Sequence, residues 1–178
     1  MSGVAVLLTG LSGAGKSTIT DALVAELEAE GTPVTVLDGD VVRTHLSSEL
    51  GFSRADRDLN IRRIGWVAGE VVKHGGTAVI AAIAPFEQAR AEARTLVEAH
   101  GRFVLVHLCT PLEVCEARDV KGLYAKARAG EIPTFTGVSD PYEEPVRAEL
   151  RIDTSVVGLA DAVAQVRSAM AGVGDSSA

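Results

Sequence analysis

The sequence predicts an α/β fold of three layers, a central parallel sheet between two layers of helices. Two observations carry this. Short apolar runs rich in Val, Ile and Leu recur along the chain, the signature of strands buried on both faces. Helical patterns separate them, and such alternation implies parallel strands joined by right-handed crossovers.

The elements follow in order. Val4 to Leu8 is the first buried strand. A Gly-rich turn leads into a helix from about Lys16 to Glu30, stopped by Gly31. Pro33 to Leu37 is a second strand, and Val41 to Leu46 a short helix. From Ala55 to His74, Ile61, Ile64, Ala68 and Val71 recur at spacings of three and four, so one apolar stripe runs along a long helix. Gly75 and Gly76 end it. Thr77 to Ile83 is the third strand, Phe86 to His100 a charged amphipathic helix, and Phe103 to Leu108 the fourth strand. Leu112 to Arg118 starts another helix, Leu150 to Ile152 forms a short fifth strand, and Leu159 to Met170 closes the fold. Asp119 to Pro145 breaks the alternation, with three of the six prolines and three glycines. A long irregular segment within a compact unit reads as a lid over a site.

The 178 residues suit one domain, expected over 1–172, with a disordered tail at 173–178. Hydrophobic residues make up 47% but aromatics only 4%, so an aromatic in a polar stretch needs a reason. A net charge of -7 argues against a broad nucleic-acid surface, though a local Arg cluster can still bind a small anion. Cys109 and Cys115 make neither a disulfide framework nor a zinc pattern, and read as reduced thiols. No secretory pattern precedes the first strand, and no apolar run reaches the roughly 20 residues that span a bilayer. The expected location is the cytoplasm, with no membrane or nucleic-acid partner.

The segment GLSGAGKS at Gly10–Ser17 matches the phosphate-loop pattern, and it lies between a buried strand and a helix, the context that confirms it. Glycines let backbone N–H groups turn around an anion, and the helix N-terminus adds its positive end. The expected donor-binding residues are Gly10, Leu11, Ser12, Gly13, Ala14, Gly15, Lys16, Ser17 and Thr18. Lys16 reaches the outer phosphates of ATP and Ser17 ligates Mg²⁺. A guanine-specific protein of this fold carries an N-K-x-D segment, whereas the one Asn here is Asn60, followed by Ile61.

Asp38 and Asp40 end the second strand, where ligands sit in parallel sheets. One could accept a proton from an acceptor hydroxyl, and either could hold Mg²⁺ through water. The plainer alternative is a polar turn with Asp40 as N-cap of the next helix. Further on come Arg54, Arg57, Arg62 and Arg63. Arg57 and Asn60 share a helix face suited to an anionic acceptor with hydrogen-bonding groups. Arg54 and Arg63 read as solvated, paired with Asp56 and Asp58. Phe52 is either a staple onto the helix or a plate for a base.

At this point the chain resembles the adenylyl-sulfate kinase (APS kinase) family, a phosphate-loop kinase fold. The matching segments are GLSGAGKST, LDGDVVR, LGFSRADRDLNIRR, PLEVCEARDVKGLYAKARAGEI, FTG and DPYEEP. The run from Cys115 to Ile132 followed by FTG is the most specific of them. The resemblance implies transfer of the ATP γ-phosphate to the ribose 3′-hydroxyl of adenylyl sulfate (adenosine 5′-phosphosulfate), giving 3′-phosphoadenylyl sulfate and ADP. It implies that Phe52 and Phe135 sandwich the acceptor adenine. It assigns Arg43, Arg57 and Asn60 to the phosphosulfate and ribose, Ile83, Lys121 and Leu123 to the acceptor, and Asp40, with Lys16 and Asp38, to catalysis. A homodimer and a functional neighbour that is an ATP sulfurylase are also implied.

A lid excludes water from phosphoryl transfer. Lys121 is expected to act there, and Lys126 and Arg128 to be ordinary solvated residues. Where family members often carry Ser-Pro-Tyr-Arg, this chain has Ala84-Pro85-Phe86-Glu87. Ala84 has no hydroxyl, so no phosphoserine can form there and direct in-line transfer is expected. Glu87 removes a positive charge near the strand end, and Val120 replaces a frequent Pro. The competing readings are a kinase of the same fold with another nucleoside or sugar acceptor, and a non-catalytic ATP-binding domain.

Overall fold

The computed structural model describes residues 3–172; the expected tail at 173–178 lies outside them. Its elements in chain order are β1 (Val4–Gly10), α1 (Lys16–Ala29), β2 (Val34–Asp38), α2 (Gly39–Leu46), α3 (Arg54–Lys73), β3 (Thr77–Ala81), α4 (Glu87–Glu98), β4 (Arg102–Leu108), α5 (Leu112–Arg118), α6 (Leu123–Arg128), β5 (Leu150–Ile152) and α7 (Leu159–Ala171). All five strands are parallel in the order β2-β3-β1-β4-β5. β1 is central, in register from Val4↔Thr77 to Leu8↔Ala81 on one side and from Val4↔Arg102 to Gly10↔Leu108 on the other.

Side chains alternate across a strand, so β1 feeds two cores. Ala5 and Leu7 join Ile61, Ile64 and Ala68 of α3 and Ala89 and Ala93 of α4. Val6 and Leu8 join Ile19 and Leu23 of α1 and Val163 and Val166 of α7. Chain direction explains this division. The β1-to-β2 crossover runs one way along the sheet, and β2-to-β3 and β3-to-β4 run the other. Right-handed crossovers then place α1 on one face and α3 and α4 on the opposite one. The strand order reverses at β1, which opens a crevice at its carboxyl end.

Two differences from the sequence reading bear on the site. β3 ends at Ala81, so Ile83 lies in the loop beyond the ladder. The segment expected to be irregular holds a short helix, α6, whose first amides are capped by the Asp119 side chain: Tyr124 N donates to Oδ1 at 2.9 Å and Ala125 N to Oδ2 at 3.0 Å. No helix among the described residues is long and apolar enough to cross a membrane.

Helices α3 and α4 approach closely because α3 presents glycine to α4. A Cβ on Gly65 would stand 2.7 Å from Ala93 Cα and 2.8 Å from Ala93 Cβ. Neither neighbour is a flexible chain end, so the helices must part to admit it. Gly65→Ala is therefore expected to destabilise the fold by about 1–2 kcal/mol, the overpacking cost exceeding the roughly 1 kcal/mol gain in helix propensity. The midpoint of urea unfolding checks this, and an unchanged or higher midpoint would refute the packing argument.

Candidate active site

The loop between β1 and α1 is shaped by what holds its carbonyls. Ser12 O accepts from Tyr124 Oη at 2.9 Å. Gly13 O accepts from Arg118 Nη1 at 3.0 Å. Ala14 O accepts from Thr154 Oγ1 at 2.9 Å and Thr110 Oγ1 at 3.3 Å. In a trans peptide the C=O and the following N–H point in opposite directions. Outward carbonyls at Ser12 and Ala14 therefore turn the amides of Gly13 and Gly15 inward. The first-turn amides of α1 add to them, having no acceptor within the helix. Gly13 and Gly15 have φ of 77° and 102°, and a Cβ on Gly13 would lie 2.9 Å from Cys115 O. Only glycine fits there without strain.

Ser12, Gly13, Gly15, Lys16, Ser17 and Thr18 line a cavity of about 1050 Å³. Gly10, Leu11 and Ala14 support it from behind: the Gly10 and Leu11 carbonyls accept from Lys16 Nζ at 2.9 and 2.7 Å, and Ala14 is fully buried. Burial lowers the Lys16 pKa to about 8, against the opposing pull of Cys115, Asp40 and Asp38. An ammonium buried among neutral carbonyls is poorly solvated, and an adjacent phosphate would favour its charged form.

Asp38, not Asp40, caps α2: its Oδ1 accepts from Asp40 N at 2.9 Å and Val41 N at 3.2 Å. This corrects the alternative that made Asp40 the cap. Asp40 sits inside the first turn with its carboxylate exposed, and Oδ2 accepts from Lys121 Nζ at 2.8 Å. That bond raises the Lys121 pKa. The Asp40 charge is felt both by Lys16 and by Arg43, so it lies within reach of the phosphate loop and of the arginine cluster.

The same cavity is lined by Arg43, Phe52, Arg57, Asn60, Ile83, Lys121, Leu123 and Phe135, every acceptor-binding residue expected from the sequence. Their states differ. Phe52 is 63% exposed, with the Arg43 guanidinium 4.6 Å from its ring centroid. Phe135 is buried, edge-on to Tyr124 with centroids 5.0 Å apart. Asn60 is 3% exposed, and its Oδ1 has no hydrogen-bond partner. A buried acceptor on a cavity wall is placed to receive a hydrogen bond from a bound molecule.

Arg57 is occupied by the protein itself. Its Nε donates to Phe52 O at 2.8 Å, Nη1 to Thr136 Oγ1 at 2.9 Å, and Nη2 to Thr134 O at 3.1 Å; Nη1 also pairs with Asp140 at 3.1 Å. One guanidinium thus joins the segment bearing Phe52 to residues on both sides of Phe135. Arg63 pairs with Glu49 at 2.6 Å rather than with Asp56 or Asp58, while Arg54 reaches Asp58 at 4.0 Å and Glu143 at 3.1 Å. Arg128 pairs with Glu116 at 2.8 Å, outside the cavity, as expected of a solvated residue.

The charge change at Glu87 does not reach the cavity. Its carboxylate lies 2.6 Å from Nη2 of the buried Arg90, whose Nη1 donates to Ala84 O at 2.6 Å. Ala84 itself is buried with φ of 45°.

The sequence reading missed one wall. Arg118, Thr154, Val157, Leu159 and Ala162 line the cavity on the phosphate-loop side. Arg118 lay inside a quoted motif and was the one with a signal; the aliphatic residues carry none.

The sequence profile of the family described as adenylylsulphate kinase matches residues 2–153. The chain belongs to the adenylylsulphate kinase family. An adenylyl-sulfate kinase of Microcystis aeruginosa is 55% identical over 164 residues, 92% of this chain and 89% of that protein. The APS kinase CysC of Mycobacterium tuberculosis, solved in complex with AMPPNP and APS, superposes with a TM-score of 0.91 at 41% identity, covering 96% of this chain and 98% of the other. A sulfate adenylyltransferase of Phaeosphaeria nodorum is 52% identical over 92% of this chain, but the match spans only 29% of that longer protein. The fold of this family member is therefore that of a phosphate-loop kinase.

A pH dependence follows from Lys16. Nucleotide phosphates favour its charged form, so binding takes up a proton above pH 8. The Kd for a non-hydrolysable ATP analogue is expected to be flat below about pH 7.5 and to weaken by up to about tenfold per unit above pH 8. Lys16→Arg, which stays charged, is expected to flatten the profile. Calorimetric titration from pH 6.5 to 9.5 checks both, and a flat wild-type profile would contradict the assignment.

Proposed function

We propose that this chain is an ATP-dependent adenylyl-sulfate kinase. It transfers the γ-phosphate to the ribose 3′-hydroxyl of adenylyl sulfate and releases 3′-phosphoadenylyl sulfate and ADP. One observation carries the reading: a single cavity holds a phosphate loop and a second wall built of Phe52, Phe135, Arg43 and Asn60, with Asp40 in the field of both. Family membership and the likeness to a kinase solved with AMPPNP and APS support it.

In this reading the donor phosphates lie on the amides of Gly13, Gly15 and α1, with Lys16 on the outer oxygens. The donor base packs near Arg118 and Val157. The acceptor adenine lies between Phe52 and Phe135, and Asn60 Oδ1 accepts a hydrogen bond from it or its ribose. Asp40 takes the 3′-hydroxyl proton as that oxygen bonds to the γ-phosphorus and the bond to the ADP oxygen breaks in line. Lys121 holds Asp40 and brings positive charge to the transferring group. Ala84 offers no nucleophile, which leaves direct transfer.

The oxygen donors suit Mg²⁺. The Ser17 hydroxyl is exposed at the loop, and Asp38 or Asp40 would act through water; among the described residues no group of three or more His, Cys, Asp or Glu forms a site of its own. The ion would enter with the nucleotide and neutralise phosphate charge. In the same reading the reaction runs in the cytoplasm, in a homodimer, next to an ATP sulfurylase that makes its acceptor. The longer sulfate adenylyltransferase relative supports that neighbour.

A coupled ADP assay tests the reading. ADP release is expected to depend on Mg²⁺ and on adenylyl sulfate, and not to be stimulated by a panel of nucleosides and small sugars. Absence of stimulation by adenylyl sulfate would sink it, and stimulation by another acceptor alone would favour a different kinase. Asp40→Ala is expected to lower kcat by about 10²–10⁴-fold while ATP binding changes less than about threefold. Unchanged turnover would remove Asp40 from the chemistry.

The two phenylalanines are tested separately. Phe135→Ala is expected to raise the acceptor KM by about 5–150-fold, the worth of one base stacked on an aromatic ring, with the ATP KM little changed. An unchanged acceptor KM would refute the sandwich.

A further inference from the structure

Tyr124 is the largest aromatic side chain in the interior, 1% exposed, and it does not line the cavity. It nevertheless touches both of its ends. Its hydroxyl donates to Ser12 O at 2.9 Å, inside the phosphate loop. Its ring meets Phe135 edge-on, centroids 5.0 Å apart, and Phe135 is part of the acceptor wall.

Each contact constrains a working group. The Ser12 carbonyl and the Gly13 N–H belong to one peptide plane. A donor on the carbonyl therefore sets the direction in which that amide faces the cavity. Gly13, at φ of 77°, has no side chain to resist rotation of this peptide, so the constraint must come from outside the loop. At the other end, an edge-on ring fixes the tilt of Phe135, because the positive edge of one ring prefers the face of its neighbour. Tyr124 is itself seated: its backbone N donates to Asp119 Oδ1 at 2.9 Å, at the start of α6. Burial pushes its hydroxyl pKa up, so it remains a donor at any working pH.

We propose that Tyr124 is a positioning residue that couples the two substrates: occupancy of the phosphate loop fixes the Ser12–Gly13 peptide, and Tyr124 passes that order to the Phe135 wall. The proposal rests on the donor and acceptor ends assigned above. It is a statement about binding free energies, so it is reciprocal: each substrate tightens the other by the same factor.

The test is a binding cycle by calorimetry, with AMPPNP and Mg²⁺ as donor probe and adenylyl sulfate as acceptor. The wild type is expected to bind adenylyl sulfate about fivefold or more tightly when the donor site is filled. Tyr124→Phe keeps the ring and removes only the hydroxyl; its coupling ratio is expected to fall to within about twofold of unity. Arg128→Ala breaks the α6 ion pair with Glu116 and leaves Tyr124 in place, and is expected to keep the wild-type ratio. Where Tyr124→Phe does not fold, Phe135→Leu cuts the link at its other end, with the same expected loss of coupling. Thermal unfolding of each variant confirms its fold, and a ratio cancels any weakening common to both states. A wild-type ratio retained in Tyr124→Phe would overturn the proposal. So would a ratio of one in the wild type, or a loss in Arg128→Ala equal to that in Tyr124→Phe, which would mark a general loosening of the lid. Failure of adenylyl sulfate to bind the wild type in either state would instead overturn the acceptor assignment, and this proposal with it.

Discussion

The amides of a phosphate loop can face an anion only if its carbonyls are held the other way. That constraint organises the rest of this molecule. The loop is too short and too rich in glycine to hold its own peptides. The donors come from distant chain: Thr110 after β4, Arg118 at the end of α5, Tyr124 in α6 and Thr154 after β5. Together they hold the carbonyls of Ser12, Gly13 and Ala14, the last of them from two sides. The anion site is thus assembled by chain that follows β4 as much as by the motif itself, and the fold must be complete before the loop has its shape.

The same arrangement decides what the sequence could reveal. Strands and long helices were legible because burial leaves a mark in sequence, a short unbroken apolar run in β1, which is covered on both faces, and a period near 3.6 in α3. The phosphate loop was legible because its glycines have one physical purpose. Helix α6 was not, because six residues between glycines carry too little period to stand out from an irregular lid. The wall of Val157, Leu159 and Ala162 was not, because aliphatic residues that meet a ligand look like those that meet a core. Of the residues proposed for the acceptor, Phe52, Arg57 and Asn60 stood out by their environment, a Phe in a polar run and an Arg and Asn on one face, whereas Arg43, Ile83, Lys121, Leu123 and Phe135 came only from the family resemblance. Their convergence on one cavity is a fact of the fold, which no local pattern contains.

Two residues changed meaning once their surroundings were known. Arg57 read as a ligand-binding cation, yet its guanidinium joins Phe52 to both flanks of Phe135 and pairs with Asp140. Its charge also lowers the Arg43 pKa, after burial. Glu87 read as a lost positive charge near the acceptor, yet its carboxylate is consumed by Arg90. The backbone N–H of Glu87 donates to Glu143 Oε2 at 2.8 Å, and Arg90 Nη2 donates to Glu143 O at 2.6 Å. Tyr142 adds a bond to Thr9 at 2.9 Å and stacks on His107. The segment 140–145 is a strap that ties the far end of the lid to β1, β4 and α4.

The segment 119–145, proposed as a lid, is held at both ends by contacts of different kinds. Its outermost contact, Lys121 with Asp40, is solvent-exposed, and an ion pair of that kind is worth about 0–1 kcal/mol and is screened by salt. The inner contacts, Tyr124 on Ser12 and Tyr142 on Thr9, are part-buried hydrogen bonds between neutral groups, which ionic strength affects far less. Salt would therefore loosen the outer edge of the lid while α6 stays seated. The route by which product departs and the frame that holds the donor loop can respond independently to the medium.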